Sequence, residues 1–419
     1  MLNWVSRFSI FCFLDNHQYQ MEPHSVECLL AVGTKRKFTS QQGNTLQSLQ
    51  SFIEEKKSWL FGHLSYDLKN ELEQLSSDHT DHLEFPDVFF FEPQIIIRLT
   101  ENEMMIEVDK DAENIFREIM ATTAVVNLQS QKRELNIRPR VSKEEYTGII
   151  QKLKSHILRG DCYEINYCQE FYDDNAIIDP VKVYENLSRI SPNPFSALYK
   201  LEDKFLICAS PERYLKKQGN KILSQPIKGT SSRFLSDENK DELSKKELFK
   251  SEKDRSENVM VVDLVRNDLS RVCKEGTVRV DELYGIYSFP QVHQMISTVS
   301  GELKDNISFT EIIRATFPMG SMTGAPKKRV MELIEKYEMT KRGIFSGALG
   351  YIDPKGDLPT GQAGFDFNVV IRSIMYNSGK KYLSFQAGSG ITFYSDAEKE
   401  YEECLLKAEA MKAALIYMT

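Results

Sequence analysis

Cysteine is sparse in this sequence, and long apolar runs are missing. The 419 residues contain seven scattered cysteines and no Cys-x-x-Cys pair, which excludes a disulfide-rich scaffold and favours a reducing compartment. The longest apolar stretches are strand-length, whereas a bilayer-spanning helix needs about 20 residues. The stretch from Trp4 to Leu14 lacks the cleavage pattern of a signal peptide. We therefore expect a cytoplasmic protein with no membrane segment.

An excess of positive charge is absent as well. Lys and Arg number 53 against 61 Asp and Glu, so the net charge of −8 offers no electrostatic footprint for nucleic acid. The sequence has no phosphate loop of the G-x-x-x-x-G-K-[ST] type, no G-x-S-x-G elbow and no Ser-His-Asp motif. An anionic substrate would have to be held by a few local groups.

The pattern of apolar residues predicts strands joined mainly by hairpins, with helices between them. A capping box at Ser142 opens a helix that ends at Gly160, and alternation from Cys162 to Cys168 predicts a half-buried strand. Further predicted elements are strands at 88–99 and 104–108, hairpins at 213–227 and 368–386, and a charged exposed helix at 236–258. This order favours an α+β fold with antiparallel sheets over a doubly wound sheet.

Lys228 lies in the run Pro226-Ile227-Lys228-Gly229, where proline restricts the backbone and glycine permits a close approach by a ligand. A lysine presented in this way becomes an amine nucleophile if its pKa falls, or stays charged and binds an anion. The alternative is a solvated lysine at the end of a strand. The short run by itself is compatible with all three.

Glu212 and Lys228 belong to the same predicted hairpin. A three-residue turn would place them on one face as diagonal neighbours, whereas a two-residue turn would place them on opposite faces. The sequence leaves both registers open.

Two pairs of acidic residues, each three residues apart, precede apolar helical runs. Asp254 with Glu257 and Glu400 with Glu403 can each share a helical face, and Lys407 lies on the same face as Glu403. Each pair alone is typical of a solvated helix surface. Two carboxylates that converge from distant segments would suit Mg²⁺, which usually takes one or two protein carboxylates and fills its other positions with water or substrate oxygens.

Three elements have the chemistry of anion binding. Gly388-Ser389-Gly390 can aim backbone amides at a carboxylate, and Arg372 lies on an apolar strand where a guanidinium needs an acidic partner. The loop at 320–327 enters a helix and offers its amides and the Thr323 hydroxyl. His293 is either a packed core histidine or a hydrogen-bond donor to a ligand.

Taken in this order, these residues resemble the chorismate-utilising enzyme family. The resemblance covers nearly all of residues 142–410 and is thinner before them. The matching segments are 59–67, 160–163, 210–213, 226–230, 254–258, 263–268, 320–327, 366–368 with Arg372, and 388–390.

The resemblance implies one compact α+β unit of stacked antiparallel sheets with helices outside. Residues 1–140 would form the less well matched N-terminal part, and residues 141–419 the chorismate-binding catalytic region. It also implies a buried Mg²⁺ site with Glu257 and Glu403 as ligands and Asp254 and Glu400 in the adjoining shell. The groups that match the surroundings of chorismate are Arg372, Thr323, His293, Lys407 and residues Gly388, Ser389 and Gly390.

Lys228 distinguishes branches of the family. Anthranilate synthases similar to this chain carry alanine there, whereas aminodeoxychorismate synthases carry a lysine, understood as the nucleophile that adds to C2 of chorismate. The resemblance thus implies amination at C4 for p-aminobenzoate and folate synthesis, with Glu212 as general acid/base. Glu164 replaces the usual glutamine, and Phe345 replaces a substrate-contacting tyrosine.

Ammonia would come from a separate glutamine amidotransferase subunit, because no glutaminase motif is visible. Two alternatives remain at this point: an anthranilate synthase component I, which aminates C2 and eliminates pyruvate, and a non-catalytic chorismate-binding subunit.

Overall fold

The computed structural model describes residues 1–19, 28–40, 43–122, 134–290, 292–356 and 363–416. Within these ranges the helices are α1 (Leu2–Val5), α2 (Thr45–Glu55), α3 (Lys69–Glu73), α4 (Ala112–Ala121), α5 (Lys143–Leu158), α6 (Pro180–Ile190), α7 (Glu238–Lys250), α8 (Glu252–Ser270), α9 (Phe309–Thr316), α10 (Lys327–Tyr337) and α11 (Ala397–Ile416), with short 3₁₀ turns at Tyr66–Leu68 and Gly320–Met322. None of these described helices is both long enough and apolar enough to cross a bilayer.

The strands of the described residues all pair in antiparallel fashion. They are β1 (Ile10–Asp15), β2 (Cys28–Val32), β3 (Arg36–Thr39), β4 (Leu60–Leu64), β5 (Val88–Glu92), β6 (Ile95–Leu99), β7 (Met104–Val108), β8 (Arg138–Pro139), β9 (Glu164–Asp173), β10 (Phe195–Leu201), β11 (Lys204–Ser210), β12 (Arg213–Gln218), β13 (Lys221–Gln225), β14 (Ile227–Ser232), β15 (Arg279–Ser288), β16 (Val292–Glu302), β17 (Gly324–Ala325), β18 (Ala348–Asp353), β19 (Gly364–Val369), β20 (Ser373–Asn377) and β21 (Tyr382–Ile391).

These strands form two large sheets. The eleven-stranded sheet has the order β17-β9-β21-β20-β11-β10-β1-β2-β6-β7, with β8 beside β9. The ten-stranded sheet has the order β14-β16-β13-β12-β19-β18-β4-β5-β3, with β15 beside β16. Each sheet therefore contains strands from both sides of residue 140. The prediction of an α+β fold with antiparallel sheets is confirmed.

The two sheets stack on each other, and helices cover the outer face of the larger sheet. Side chains that alternate along its strands pack into one core or the other. In β1, Ile10 and Cys12 belong to the core between the sheets, whereas Phe11 and Phe13 belong to a second core beneath helices. The second core includes Tyr146 of α5, and also residues of α6, α10 and α11. Successive side chains of a strand point to opposite faces, so one strand serves both cores.

Two predicted strands are in fact two strands each, in different sheets. The 88–99 run divides at Pro93 into β5 and β6, because proline cannot donate to a ladder. The strand predicted from Asn368 to Tyr376 divides into β19 and β20 across residues 370–372, where Arg372 has a left-handed φ of 51°. Burial is interrupted only briefly, at the exposed Gln94 and at the half-buried Ile371 and Arg372, so the apolar pattern does not reveal the change of sheet.

Local capping signals located the helices that position the site. Ser142 and Glu145 form both bonds of the predicted capping box, and α5 ends one residue before its C-cap at Arg159. The predicted exposed helix at 236–258 is two helices divided at Ser251, which caps α8. The strand predicted at 162–168 begins at Glu164 and is buried on both faces, not half-buried. The last helix, α11, is described from Ala397 to Ile416.

Candidate active site

One cavity of about 610 Å³ receives residues from both sheets and from helices, mainly α8 and α11. Its walls come from β9, β14 and β21, from the segments before β12 and before β20, and from α8 and α11. The residues predicted from the sequence that line it are Glu212, Lys228, Asp254, Glu257, Arg372, Gly388, Gly390, Glu403 and Lys407. The fold therefore brings together groups spread over almost 200 positions of the chain.

The hairpin of β12 and β13 has a two-residue turn, the register expected to separate Glu212 from Lys228. A bulge between Arg213 and Lys216 shifts the pairing by one residue, so that Arg213 lies opposite Gln225. The extra bulge residue has the same effect on register as a third turn residue. Glu212 and Lys228 consequently line the same cavity.

The Lys228 side chain forms a buried ion pair with Glu164 of β9. Lys228 Nζ lies 2.7 Å from Glu164 Oε1, and the lysine side chain is 11% exposed. Burial by itself would lower the pKa of Lys228, but the carboxylates of Glu164 and Glu257 outweigh it and hold this pKa above its ordinary value. In the free protein Lys228 is an ammonium group.

Glu212 is a buried carboxyl group that faces the lysine. It is 4% exposed, and Ser321 Oγ donates a hydrogen bond to its Oε1 at 2.6 Å. Burial raises the pKa of Glu212 to about 7, against the opposing effects of Ser321 and Lys228. A carboxyl group that titrates near neutrality can deliver or accept a proton in this cavity.

Helices α8 and α11, which are far apart in the chain, both direct carboxylates into the cavity. Burial raises the pKa of Glu257 to about 7, whereas the adjacent Lys407 ammonium lowers the pKa of Glu403. Lys253 lies between the helices, with its Nζ 3.8 Å from Glu257 and 3.5 Å from Glu400. The site thus concentrates acidic groups around one surface cation.

The Mg²⁺ predicted from the sequence fits these donors. Across the described ranges, no group of three or more His, Cys, Asp or Glu side chains is arranged to hold a metal. Mg²⁺ needs only one or two protein carboxylates when substrate and water complete its shell. Glu257 Oε1 is buried and has no hydrogen-bond partner among the described residues, and Lys253 Nζ approaches it only to 3.8 Å, so an oxygen of the required kind is available. Glu257 and Glu403 would hold the ion.

Asp254 and Glu400 accompany these two carboxylates. Asp254 lines the cavity and packs against Gly229. A Cβ added to Gly229 would lie 3.0 Å from the Asp254 Cβ. Glu400 is 1% exposed and accepts a hydrogen bond from the Ser389 hydroxyl. Ser389 therefore orients an α11 carboxylate and does not itself line the cavity.

The glycines of β21 permit close contact between β21 and its neighbours. A Cβ on Gly390 would lie 2.6 Å from both Glu164 Oε1 and Lys228 Nζ, so the ion pair occupies the space of a side chain. Lys407 Nζ donates to the Gly388 carbonyl at 2.9 Å and pairs with Glu403 at 2.7 Å. The strand thus presents a carbonyl to Lys407 at the cavity wall.

Arg372 lies in the crossing between β19 and β20, not on a continuous strand. Its guanidinium makes no hydrogen bond or ion pair with the described residues, although it lines the cavity. Burial lowers the pKa of Arg372, and Glu403 acts in the opposite direction. A guanidinium in this position is available to a ligand carboxylate.

Thr323 and His293 lie outside the cavity lining. The Thr323 hydroxyl donates to the Met319 carbonyl at 3.1 Å. His293 is 1% exposed, and its ring nitrogens contact Ser288 Oγ at 2.9 Å and Asp241 Oδ1 at 3.2 Å. In this structure both side chains have protein partners.

Sequence reasoning missed Ser321 and Lys253. Ser321 lies in the glycine-rich loop in which Thr323 was the predicted ligand-binding hydroxyl. Only the fold brings Ser321 to Glu212, 109 positions away. Lys253 had a usable signal: it lies four residues before Glu257 and hence on the same helical face.

The chain is similar to known proteins along most of its length. Residues 12–413 match the family described as chorismate binding enzyme. A protein of Bacillus subtilis named aminodeoxychorismate synthase component 1 is 33% identical over 84% of this chain and 76% of its own. Anthranilate synthase component 1 of Saccharolobus solfataricus is 33% identical over 86% and 81%.

A solved structure supports the fold. Anthranilate synthase component I from Streptococcus pneumoniae superposes with a TM-score of 0.78 over 94% of each chain, at 24% identity. The family match covers nearly the whole chain, and the cavity is lined by basic and acidic side chains. This protein is therefore a member of the chorismate-binding enzyme family.

Proposed function

We propose that this enzyme aminates chorismate at C4 to give 4-amino-4-deoxychorismate, as component I of an aminodeoxychorismate synthase. The observation that carries the proposal is that Lys228 and Glu212 line the same cavity and that the pKa of Glu212 lies at about 7. Chorismate is a dicarboxylate, and the unpaired Arg372 guanidinium suits one of its carboxylates. Mg²⁺ held by Glu257 and Glu403 would bind and orient a substrate carboxylate.

The proposed reaction balances around these two residues. The Lys228 amine adds to ring C2, the two conjugated ring double bonds each shift by one position toward C4, and the C4–O bond breaks. Glu212 gives its proton to the departing hydroxyl, which leaves as water. Ammonia then forms a bond to C4, both double bonds shift back to their original positions, and the C2–N bond breaks to release the Lys228 amine. Glu212 recovers a proton from the ammonium formed at C4.

Lys228 must first lose a proton, because the ion pair with Glu164 keeps it charged. Glu164 Oε1, at 2.7 Å, is positioned to accept that proton. Closing the site over a dianionic substrate would change the charge around this pair. The carboxylate that restrains the lysine in the free enzyme is also its proton acceptor.

Amination at C2, the anthranilate synthase reaction, is the second candidate. Relatives of that name are as similar to this chain as the aminodeoxychorismate synthases. The Lys228–Glu164 ion pair favours it, since an ammonium cannot attack C2 and would leave that carbon open to ammonia.

Product analysis separates these candidates. The enzyme is incubated with chorismate, Mg²⁺ and ammonium, and the products are identified by mass spectrometry. We expect 4-amino-4-deoxychorismate. Anthranilate with pyruvate would establish the second candidate instead, and the absence of turnover would favour a non-catalytic subunit. Activity with glutamine should require an added amidotransferase subunit.

Lys228→Ala tests the nucleophile. We expect the variant to lose C4 amination by about 10³-fold or more, whereas Lys217→Ala, a matched β12 control outside the cavity lining, keeps it. Intact-protein mass after incubation with chorismate without ammonia should show an adduct in the wild type only. Equal turnover by wild type and Lys228→Ala would overturn the assignment.

A further inference from the structure

Arg342, which follows α10, is a fully buried residue that the reaction above does not use. All five N–H donors of its guanidinium have acceptors. Nε and Nη2 donate to the two oxygens of Glu338 at 2.9 and 2.5 Å. The other donors reach the Met322 carbonyl at 2.7 Å, the Asn166 carbonyl at 2.8 Å and Ser346 Oγ at 3.3 Å. Arg342 also lies 4.7 Å from the Tyr66 ring centroid.

Two of these acceptors belong to neighbouring elements of the cavity wall. Met322 lies in the 3₁₀ turn at Gly320–Met322, Asn166 lies on β9, and both line the cavity. Glu338 extends the same link, because its Oε1 accepts a hydrogen bond from the Cys168 amide at 2.9 Å. One buried ion pair thus joins the turn to the strand.

The link continues to the proposed acid. Asn166 Nδ2 donates to the Ser321 carbonyl at 2.8 Å, and the Asn166 amide donates to the Thr323 carbonyl at 2.8 Å. Ser321 Oγ in turn donates to Glu212 Oε1 at 2.6 Å. The charged group that faces Glu212 from β14 is Lys228.

We propose that Arg342 is a positioning residue that holds the Ser321 turn against β9 and thereby fixes the hydrogen bond from Ser321 to Glu212. A buried ion pair is a poor source of stability by itself, since apolar residues of similar volume often do as well. The pair at Arg342 instead fixes the position of the 3₁₀ turn relative to β9. Lysine cannot replace it, because an ammonium has three donors on one atom and cannot span five acceptors.

The test compares Arg342→Lys, Ser321→Ala and the double variant. The inference rests on the proposed role of Glu212 as an acid, but not on which product forms. In each single variant Glu212 loses a charge-assisted hydrogen bond, so its pKa should rise. We therefore expect the alkaline limb of the pH profile of kcat/KM to move to higher pH by about one unit. The double variant should move it no further, since both changes break the same link.

Arg140→Lys is the matched control. Arg140 pairs with Glu170 near the far end of β9, with Nε at 2.9 Å and Nη2 at 2.5 Å from Glu170 Oε2. It should lower the melting temperature and leave the limb in place. A limb that Arg342→Lys leaves unmoved, or shifts that add in the double variant, would overturn the inference even where product analysis supports the proposed function.

Two measures keep the test decisive. If Arg342→Lys does not fold, Asn166→Ala breaks the next contact along the link and should move the limb upward without adding to Ser321→Ala. If chorismate is bound but not turned over, the pH dependence of its Kd, measured by calorimetry, replaces the kinetic limb and should shift in the same direction. A Kd profile identical in wild type and Arg342→Lys would end the proposal.

Discussion

Among the neighbouring carboxylates, Glu164 contributes most to the charge state of Lys228. Replacing the carboxylate by an amide in Glu164→Gln removes the main interaction that raises the pKa of Lys228. More of the lysine is then the free amine at neutral pH, so the acid limb of the rate profile should move to lower pH. For each unit by which the pKa falls, turnover near pH 7 should rise by about tenfold.

The pH–rate profile of C4 amination measures this effect, with the Lys228→Ala/Glu164→Gln double variant as control. The double variant should be as inactive as Lys228→Ala. A Glu164→Gln enzyme that is slower at every pH would show instead that Glu164 is needed as the proton acceptor.

Glu212 destabilises the fold when it ionises. Because burial raises its pKa from 4.5 to about 7, the folded protein binds this proton more tightly than the unfolded chain does. The resulting stabilisation is present below about pH 4.5 and is lost as the pH rises through 7. Glu212→Gln should therefore be more stable than the wild type by about 3 kcal/mol at pH 8, with little difference at pH 4.5.

Urea unfolding of both proteins at the two pH values measures the difference. A gap of the same size at both pH values would mean that the substitution acts through packing and not through ionisation of Glu212.

For single residues, the sequence predicted which side chains could do chemistry better than it predicted which residues those side chains contact. The run around Lys228 and the acidic pairs were visible because their residue types are unusual in their local context. Glu164 was noticed as a neighbour of Lys228 only through the family resemblance. The contact of Ser321 with Glu212 and that of Arg342 with Asn166 each span more than 100 positions, and no local pattern encodes such contacts.

Among the strands, β21 depends on small residues at two positions with different neighbours. A Cβ on Gly388 would lie 1.9 Å from the Tyr167 carbonyl oxygen, which is backbone, whereas one on Gly390 would meet the ends of the Glu164 and Lys228 side chains. Gly388→Ala should force β21 and β9 apart and cost more than about 3 kcal/mol of stability. Gly390→Ala should fold, and lose activity as the ion pair is displaced.

Thermal unfolding and turnover of both variants provide the comparison, with Gly148→Ala in α5 as control. A Cβ at Gly148 meets nothing within 4 Å, and alanine should stabilise that helix by about 1 kcal/mol. Equal stability of Gly388→Ala and Gly390→Ala would contradict this account of the strand contacts.

Elements with local signals were predictable, and those defined by their sheet were not. The capping box of α5 lies within four residues, so the sequence alone located the helix. The division between β19 and β20 depends on which sheet each half joins, which is decided by partners elsewhere. The bulge in β12 likewise decides the Glu212 register without a residue that marks it.

For the whole molecule, a metal between α8 and α11 would connect helices that cover different parts of the sheets. If Glu257 and Glu403 bind Mg²⁺, millimolar Mg²⁺ should raise the melting temperature by about 2–4 °C, because the ion binds the folded state only. The Glu257→Gln/Glu403→Gln variant should lose the shift. A melting curve that responds equally in wild type and variant would place the ion elsewhere.

The α+β class could be predicted from hairpins with helices between them, but the order of the strands in each sheet could not. Adjacent strands such as β1 and β10 are separated by more than 180 residues, and their pairing brings the N-terminal segment into the larger sheet. Local periodicity carries no information about such partners. The convergence of the site residues could therefore be expected from the family resemblance, and their contacts only from the fold.

The crossing that carries Arg372 belongs to neither sheet, since the chain leaves one layer at Val369 and enters the other at Ser373. Any sliding of one layer over the other would displace the guanidinium relative to the carboxylates of the two helices. Substrate held between these groups would in turn resist such sliding. If Arg372 binds substrate as proposed, recognition and the alignment of the layers would be mechanically coupled through three residues of backbone.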